Sequence, residues 1–178
     1  MITINNKKIK SITLSGMLLG VLIVCAQITL PLPMIPLTLQ TLAVGLIASL
    51  LPVKDGLKVI LAYLILGSVG LPVFAGFKSG LATLFGPTGG YLIGFLAYII
   101  LTANLLKMPV SFKKLLYANL FGASVQLILG ATWMMYILNL SLKNAFLTGV
   151  VAFILPALIK VLLVCVIAFK LRLMYNKN

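Results

Sequence analysis

Long apolar runs alternate with short polar breaks along the whole chain, and the runs are too long for the core of a soluble domain. Allowing a few residues at each boundary, they fall at roughly 11–30, 38–52, 56–73, 84–106, 115–138 and 146–170. A helix needs about 20 apolar residues to cross a hydrocarbon layer of about 30 Å, so this pattern predicts six spanning helices with short loops. The second and third runs are the shortest. They are divided by Leu51-Pro52-Val53-Lys54-Asp55-Gly56, and the third stops at Gly70-Leu71-Pro72, which suits helices packed within a bundle without crossing the whole bilayer. No tandem repeat, low-complexity segment or inverted internal symmetry is visible. The expected fold class is an all-α integral membrane protein: a single domain over residues 1–178, a bundle of six transmembrane helices.

Composition agrees and charge adds orientation. The chain is 62% hydrophobic and only 8% charged, with a mean hydropathy of +1.24, more apolar surface than a soluble fold can bury. Its net charge of +13 does not point to nucleic acid, because Lys and Arg are spread singly or in twos and threes instead of lining one surface. Loops facing the cytoplasm and an anionic lipid surface explain them better. With both termini cytoplasmic, the inner segments hold eleven cations: Lys7, Lys8, Lys10, Lys54, Lys58, Lys107, Lys113, Lys114, Lys170, Arg172 and Lys177. The outer loops hold two, Lys78 and Lys143. Lys7-Lys8-Ile9-Lys10 before an apolar stretch has the outline of a signal peptide, but the further runs that follow make it a retained first helix. Cys25 and Cys165 both fall in apolar runs and read as small buried thiols.

In this orientation the unusual backbone collects outside. Pro31 to Gln40, Pro72 to Gly80 and Phe85 to Tyr91 are rich in Pro and Gly, and irregular backbone at membrane depth is tolerated only where it is buried or lines a cavity. A lidded pocket open to the outside is the functional reading; the plainer one is that Pro and Gly merely end helices at the interface. Gly-Phe-Lys-Ser at 76–79 resembles a phosphate-binding loop, but the spacing is off by one residue and no strand precedes it. With no His and Asp55 as the single acid, no side-chain relay can carry protons across the membrane, so a self-powered pump is not expected.

Lys160 is the exception among the cations, standing alone inside the last apolar run. It lies about ten residues, hence about 15 Å, from the expected cytoplasmic helix end, too far to snorkel. Pro156, one turn earlier, is positioned to kink the helix towards the bundle. An interior ammonium without an acid must be neutral, bond to carbonyls and hydroxyls, or take its counterion from a bound anion. A carboxylated ligand is one reading; a lysine bonded to backbone oxygens, or facing another subunit, is the other. Phe74, Phe85, Tyr91, Trp133 and Tyr136 sit near outer helix ends, as an interfacial belt or as pocket walls. Gly16-x3-Gly20 and Gly90-x3-Gly94 permit close helix contact, within the chain or with a partner.

Four stretches carry a family resemblance: Ala26-Gln27-Ile28, Ile35 to Leu42, Gly70 to Gly76, and Leu84 to Phe95, continued by Gly130-x2-Trp133. Together they resemble the BioY family, the biotin-specific substrate-binding S component of energy-coupling factor (ECF) transporters. The resemblance implies six membrane helices and high-affinity biotin capture from outside, under loops that close over the ligand. It also implies import together with a transmembrane coupling subunit and two cytoplasmic ATPases, in the plasma membrane of a prokaryote. In the family the first three helices face the coupling subunit, which makes Gly16 and Gly20 candidates for that contact. One departure stands out: where the family usually has Pro-Gly-Asp-Leu-x-Lys, this chain reads Leu155-Pro156-Ala157-Leu158-Ile159-Lys160. Ala157 takes the place of a polar Asp, so either other polar groups recognise the ureido ring or the substrate is a relative such as dethiobiotin.

The expected function is noncovalent biotin binding, with no catalytic residue, no metal and no cofactor. Lys160 is the expected cationic group, Thr38, Gln40, Ser79 and Tyr91 the polar contacts, Phe74 and Trp133 the apolar walls, and Gly76, Gly89 and Gly90 the points of backbone access. Two other classes share the composition: an assembly protein that binds no small molecule, and a transporter that works alone.

Overall fold

A computed structural model describes residues 6–32, 35–106 and 110–175, with side chains over 8–32, 35–106 and 110–173. Pro33 and Met34 within the Pro31-to-Gln40 stretch, together with Lys107, Lys177 and the Lys7 side chain, lie outside the described residues.

The chain is mostly helical, with eight α-helices among the described residues: α1 Asn6–Gln27, α2 Gln40–Leu50, α3 Val53–Ser68, α4 Leu81–Phe85, α5 Gly89–Leu105, α6 Phe112–Ile137, α7 Leu142–Phe146 and α8 Ala152–Tyr175. A π-helical turn, Leu147–Val151, joins α7 to α8 in one helical run. Three segments are long and apolar enough to cross a membrane: Lys8–Gln27, Phe112–Ile137 and Leu142–Leu173. The helices α2 and α5 are apolar but shorter.

Differences from the expected boundaries have local causes. The first run does not remain helical to residue 30: α1 ends at Gln27, and Thr29–Leu30 forms a short strand, β1, paired antiparallel with β2, Leu37–Thr38. The prolines between them cannot continue a helix, so the chain doubles back and Thr29 faces Thr38. The fourth run is broken at Gly86-Pro87 into α4 and α5. Pro52 precedes the first turn of α3, where a missing N–H costs nothing, and its carbonyl accepts from the Asp55 and Gly56 amides. Ser111 and Ser141 cap α6 and α7 through their hydroxyls.

The core is organised around α2. Every residue from Ala43 to Ser49 is buried, because α2 touches α1, α5, α6 and α8 and so needs an apolar surface all round. At 11 residues it is about 16 Å long, roughly half a hydrocarbon thickness, and so cannot cross alone. The most extensive packing is between α5 and α6, where Gly90 and Gly94 both face α6. A Cβ on Gly90 would lie 2.2 Å from Trp133 Cβ, so the paired glycines set this spacing within the chain. On α1, by contrast, Gly16 and Gly20 face open space. Cys25 and Cys165 are free thiols, half-buried and buried respectively.

One buried polar chain ties four helices together. The Tyr98 hydroxyl of α5 donates to Asn119 Oδ1 of α6 at 3.1 Å, and Asn119 Nδ2 donates to Ser49 Oγ of α2 at 2.9 Å. The Ser49 carbonyl accepts from Arg172 Nε of α8 at 2.8 Å. Each group is answered, so the chain costs little while it stays complete. The Asn119→Ala substitution leaves the Tyr98 and Ser49 hydroxyls without their partner, and a loss of roughly 1–3 kcal/mol in stability is expected. A lower thermal unfolding midpoint in detergent would report it; an unchanged midpoint would mean that the chain contributes nothing to stability.

Candidate functional site

Above the buried polar chain, α2, α5, α6 and α8 diverge around a cavity of about 850 Å³, its open mouth included. The floor carries Tyr98, the walls are formed by Phe95, Tyr91, Phe153 and Phe74, and the mouth lies between Ile35-Pro36 and the turn from Phe74 to Lys78. A lining that is largely apolar with a few convergent polar groups suits a small organic ligand.

Lys160 projects from α8 into this cavity and is 8% exposed. Its Nζ donates to the Thr38 carbonyl in β2 at 2.9 Å. An ammonium has three donors, so this bond leaves donor capacity for a ligand. From Thr38 a hydrogen-bonded chain runs back across the bundle. Thr38 Oγ1 donates to Gln40 Oε1 at 2.9 Å, Gln40 Nε2 donates to the Tyr63 hydroxyl, and that hydroxyl donates to the Val73 carbonyl at 2.9 Å. Lys78 lines the mouth, so two ammonium groups border a cavity that no carboxylate enters among the described residues. Asp55 is engaged elsewhere, accepting from Ser11 Oγ at 2.7 Å and Lys58 Nζ at 2.8 Å.

The aromatic walls rest on glycines. The Phe74 ring is fully buried against Gly67, where a Cβ would lie 2.1 Å from its Cζ, and it meets Tyr63 edge to face at 5.5 Å. The Tyr91 ring lies on Gly130 in the same way, and its hydroxyl donates to the Gly149 carbonyl in the π turn at 3.0 Å. Wide turns of this kind recur at functional sites, because they displace one residue from the helix face.

Of the residues expected at the site, Thr38, Gln40, Phe74, Tyr91 and Lys160 come together at the cavity. Five others stand outside its lining. Gly89 packs against the Leu84 carbonyl and Gly90 against Trp133, each too tightly for any side chain. Trp133 Nε1 donates to the Gly86 carbonyl at 3.0 Å, pinning the α4–α5 corner to α6. The Ser79 carbonyl accepts from Thr83 Oγ1 at 2.9 Å, at the entry to α4. Gly76 has φ +66°, the left-handed conformation that the mouth turn needs, and Phe77 beside it takes φ +59°. The outer aromatics divide accordingly: Phe85 and Tyr136 are exposed, while Phe74 and Tyr91 face the cavity.

Sequence reasoning passed over several lining residues. Lys78 was legible only as a loop charge, and Thr41, Thr83 and Thr88 as ordinary helix-end threonines. Gln126 is a polar residue within an apolar run, a weaker form of the signal that identifies Lys160. Ala157 also lines the cavity, so the position at which the family resemblance implies an Asp faces the site. Gln27 is absent from the cavity lining but bonds to the turn at its mouth. Its Oε1 accepts from the Phe77 amide at 2.7 Å, while its Nε2 points to the Val73 carbonyl at 3.4 Å and the Ile23 carbonyl at 3.2 Å.

Comparison with known proteins gives a consistent picture. The sequence profile of the BioY family matches residues 3–177. Biotin transporter BioY2 of Lactococcus lactis subsp. cremoris (strain MG1363) is 34% identical over 167 residues, covering 93% of this chain and 92% of the relative. Biotin transporter BioY of Thermotoga maritima is 35% identical over 161 residues, covering 89% of this chain and 93% of the relative. The fold matches the crystal structure of the S-component for biotin from an ECF-type ABC transporter with a TM-score of 0.88 and 30% identity, over 96% of this chain and 94% of that one.

The Gln27 clamp generates a direct prediction. In Gln27→Ala the Phe77 amide loses its acceptor, and its hydrogen exchange should quicken by up to about tenfold, the worth of one such bond. Mass-resolved deuterium exchange over the 74–78 turn would show this; unchanged exchange would mean that other contacts hold the mouth.

Proposed function

The chain belongs to the BioY family, and from that premise we propose that it is the S component of an ECF-type importer, capturing biotin from outside and delivering it inward. The observation that carries this reading is the cavity itself, a small-molecule pocket bordered by Lys160 and Lys78 and entered by no carboxylate among the described residues. Biotin supplies what such a pocket lacks, a carboxylate on an apolar chain joined to a compact polar ring. The chain binds and moves its ligand and is not an enzyme.

In this reading residues 1–178 form one transmembrane domain with six spans and both termini in the cytoplasm, in the plasma membrane of a prokaryote. The excess of Lys and Arg on the proposed inner side supports that orientation, in which the cavity mouth opens outside. Energy for uptake comes from a coupling subunit and two cytoplasmic ATPases, since the chain has neither a nucleotide-binding loop nor a side-chain proton relay. The open faces of Gly16 and Gly20 on α1 support a contact there with the coupling subunit. At the site, Lys160 meets the carboxylate with the help of Lys78, Thr38, Gln40 and Tyr91 contribute polar contacts, and Phe74 forms a wall. Ser79, Gly76, Gly89, Gly90 and Trp133 act one step back, by shaping the mouth and the α4–α5 corner.

Calorimetric titration of the detergent-purified chain with biotin tests the proposal. Saturable one-to-one binding is expected, and an absence of binding would sink it. In Lys160→Ala the affinity should fall by roughly 2–4 kcal/mol, the cost of removing one partner of a buried charge pair. An unchanged dissociation constant would remove Lys160 from the site.

A further inference from the structure

The cavity wall contains two polar atoms that nothing in the fold answers. Gln126 Oε1 and Thr41 Oγ1 are buried without any hydrogen-bond partner, and among the described residues no other buried side-chain nitrogen or oxygen shares that condition. Both residues line the same cavity. An unsatisfied buried polar group destabilises the fold that holds it, so two in one pocket call for an explanation from function.

The geometry of Gln126 restricts that explanation. It lies on α6, is 2% exposed, and spends its Nε2 on the Tyr91 carbonyl of α5 at 3.3 Å. That bond orients the amide and leaves Oε1 free as an acceptor. Gly94 makes the room: a Cβ there would lie 3.1 Å from Gln126 Cγ. Thr41 stands in the first turn of α2, and its hydroxyl can both donate and accept. The other polar groups of the cavity are poorer acceptors. Gln40 Oε1 is already taken by Thr38, and Lys160 offers only donors. A ligand bringing an N–H into this cavity therefore finds its free acceptor at Gln126.

Building on the function proposed above, we propose that Gln126 and Thr41 form a neutral polar subsite for the ureido ring of the ligand. Gln126 Oε1 accepts from a ring N–H, and the Thr41 hydroxyl bonds to the same ureido group. Recognition is then divided: ammonium groups take the carboxylate, and uncharged oxygens read the ring. This division fits a wall in which Ala157 offers no polar atom.

Thr41→Val and Gln126→Met test the subsite, with calorimetric titration of biotin, of dethiobiotin, which keeps the ureido ring, and of lipoate, which keeps the carboxylated chain but has no N–H. For each variant, affinity for biotin and dethiobiotin should fall about tenfold, near the upper worth of one hydrogen bond, with any lipoate affinity unchanged. The ligand-free unfolding midpoint of Thr41→Val should stay the same or rise, because a buried orphan hydroxyl is removed at nearly constant shape. Unchanged biotin affinity in both variants would overturn the subsite alone, leaving the two atoms to ordered water. A lowered ligand-free midpoint in Thr41→Val without a change in affinity would assign that hydroxyl a structural role and overturn its part. Wild-type protein that binds no biotin would overturn this subsite and the proposed function together.

Discussion

A positive charge held between apolar helices is the constraint on which the rest of this structure depends. Lys160 cannot reach water along its own helix, and Asp55 is occupied with Ser11 and Lys58. Its ammonium is instead held by the Thr38 carbonyl, which requires the β1–β2 hairpin to fold down onto α8. Once Thr38 is fixed, its hydroxyl orients Gln40, Gln40 orients Tyr63, and Tyr63 holds the Val73 carbonyl just before the mouth turn. A single hydrogen-bonded chain thus joins the charge in α8 to the loop over the cavity, through α2 and α3. A carbonyl gives only a partial negative charge, so the ammonium remains receptive to an anion.

The walls of the cavity follow from a second rule, that large rings need flat places to rest. Phe74 lies on Gly67 and Tyr91 on Gly130, while Tyr98 presses against Gly122. Added methyl groups at these glycines would push the rings into the space meant for a ligand. Gly90 and Gly94 do the complementary work between α5 and α6, one receiving Trp133 and the other Gln126. The same pair of helices therefore supplies both the most extensive packing of the bundle and an unpaired acceptor in its cavity.

The helices were legible in the sequence because run length and hydropathy report directly on membrane burial. The hairpin at 29–38 was not, since Pro31 and Pro36 read as loop and two-residue strands leave no periodicity. The π turn at 147–151 likewise has no local signal; within it the Gly149 carbonyl accepts from Tyr91, a contact that only the three-dimensional fold reveals. At the site, Lys160 stood out because a charge in an apolar run is rare. Gln126 carried a weaker form of that signal and was passed over because an amide is cheaper to bury than an ammonium. Asn119 and Gln126 are seven residues apart, two helical turns, and thus share the inward face of α6, where both are buried. Gly89 and Gly90 read as points of backbone access because close backbone approach looks the same in a sequence whether it admits a ligand or a neighbouring element; here the neighbours are the Leu84 carbonyl and Trp133 of α6.

The claim that binds these features together is that the cavity's ammonium groups await an anionic partner. It is tested most directly by comparing biotin with its uncharged methyl ester in titrations of the purified wild-type chain. The two share ring and carbon chain and differ in the carboxylate charge. Charge-assisted hydrogen bonds contribute about 1.5–3 kcal/mol each, so the expected result is an ester bound at least about tenfold more weakly. Equal affinity for acid and ester would contradict the central role assigned to the buried charge.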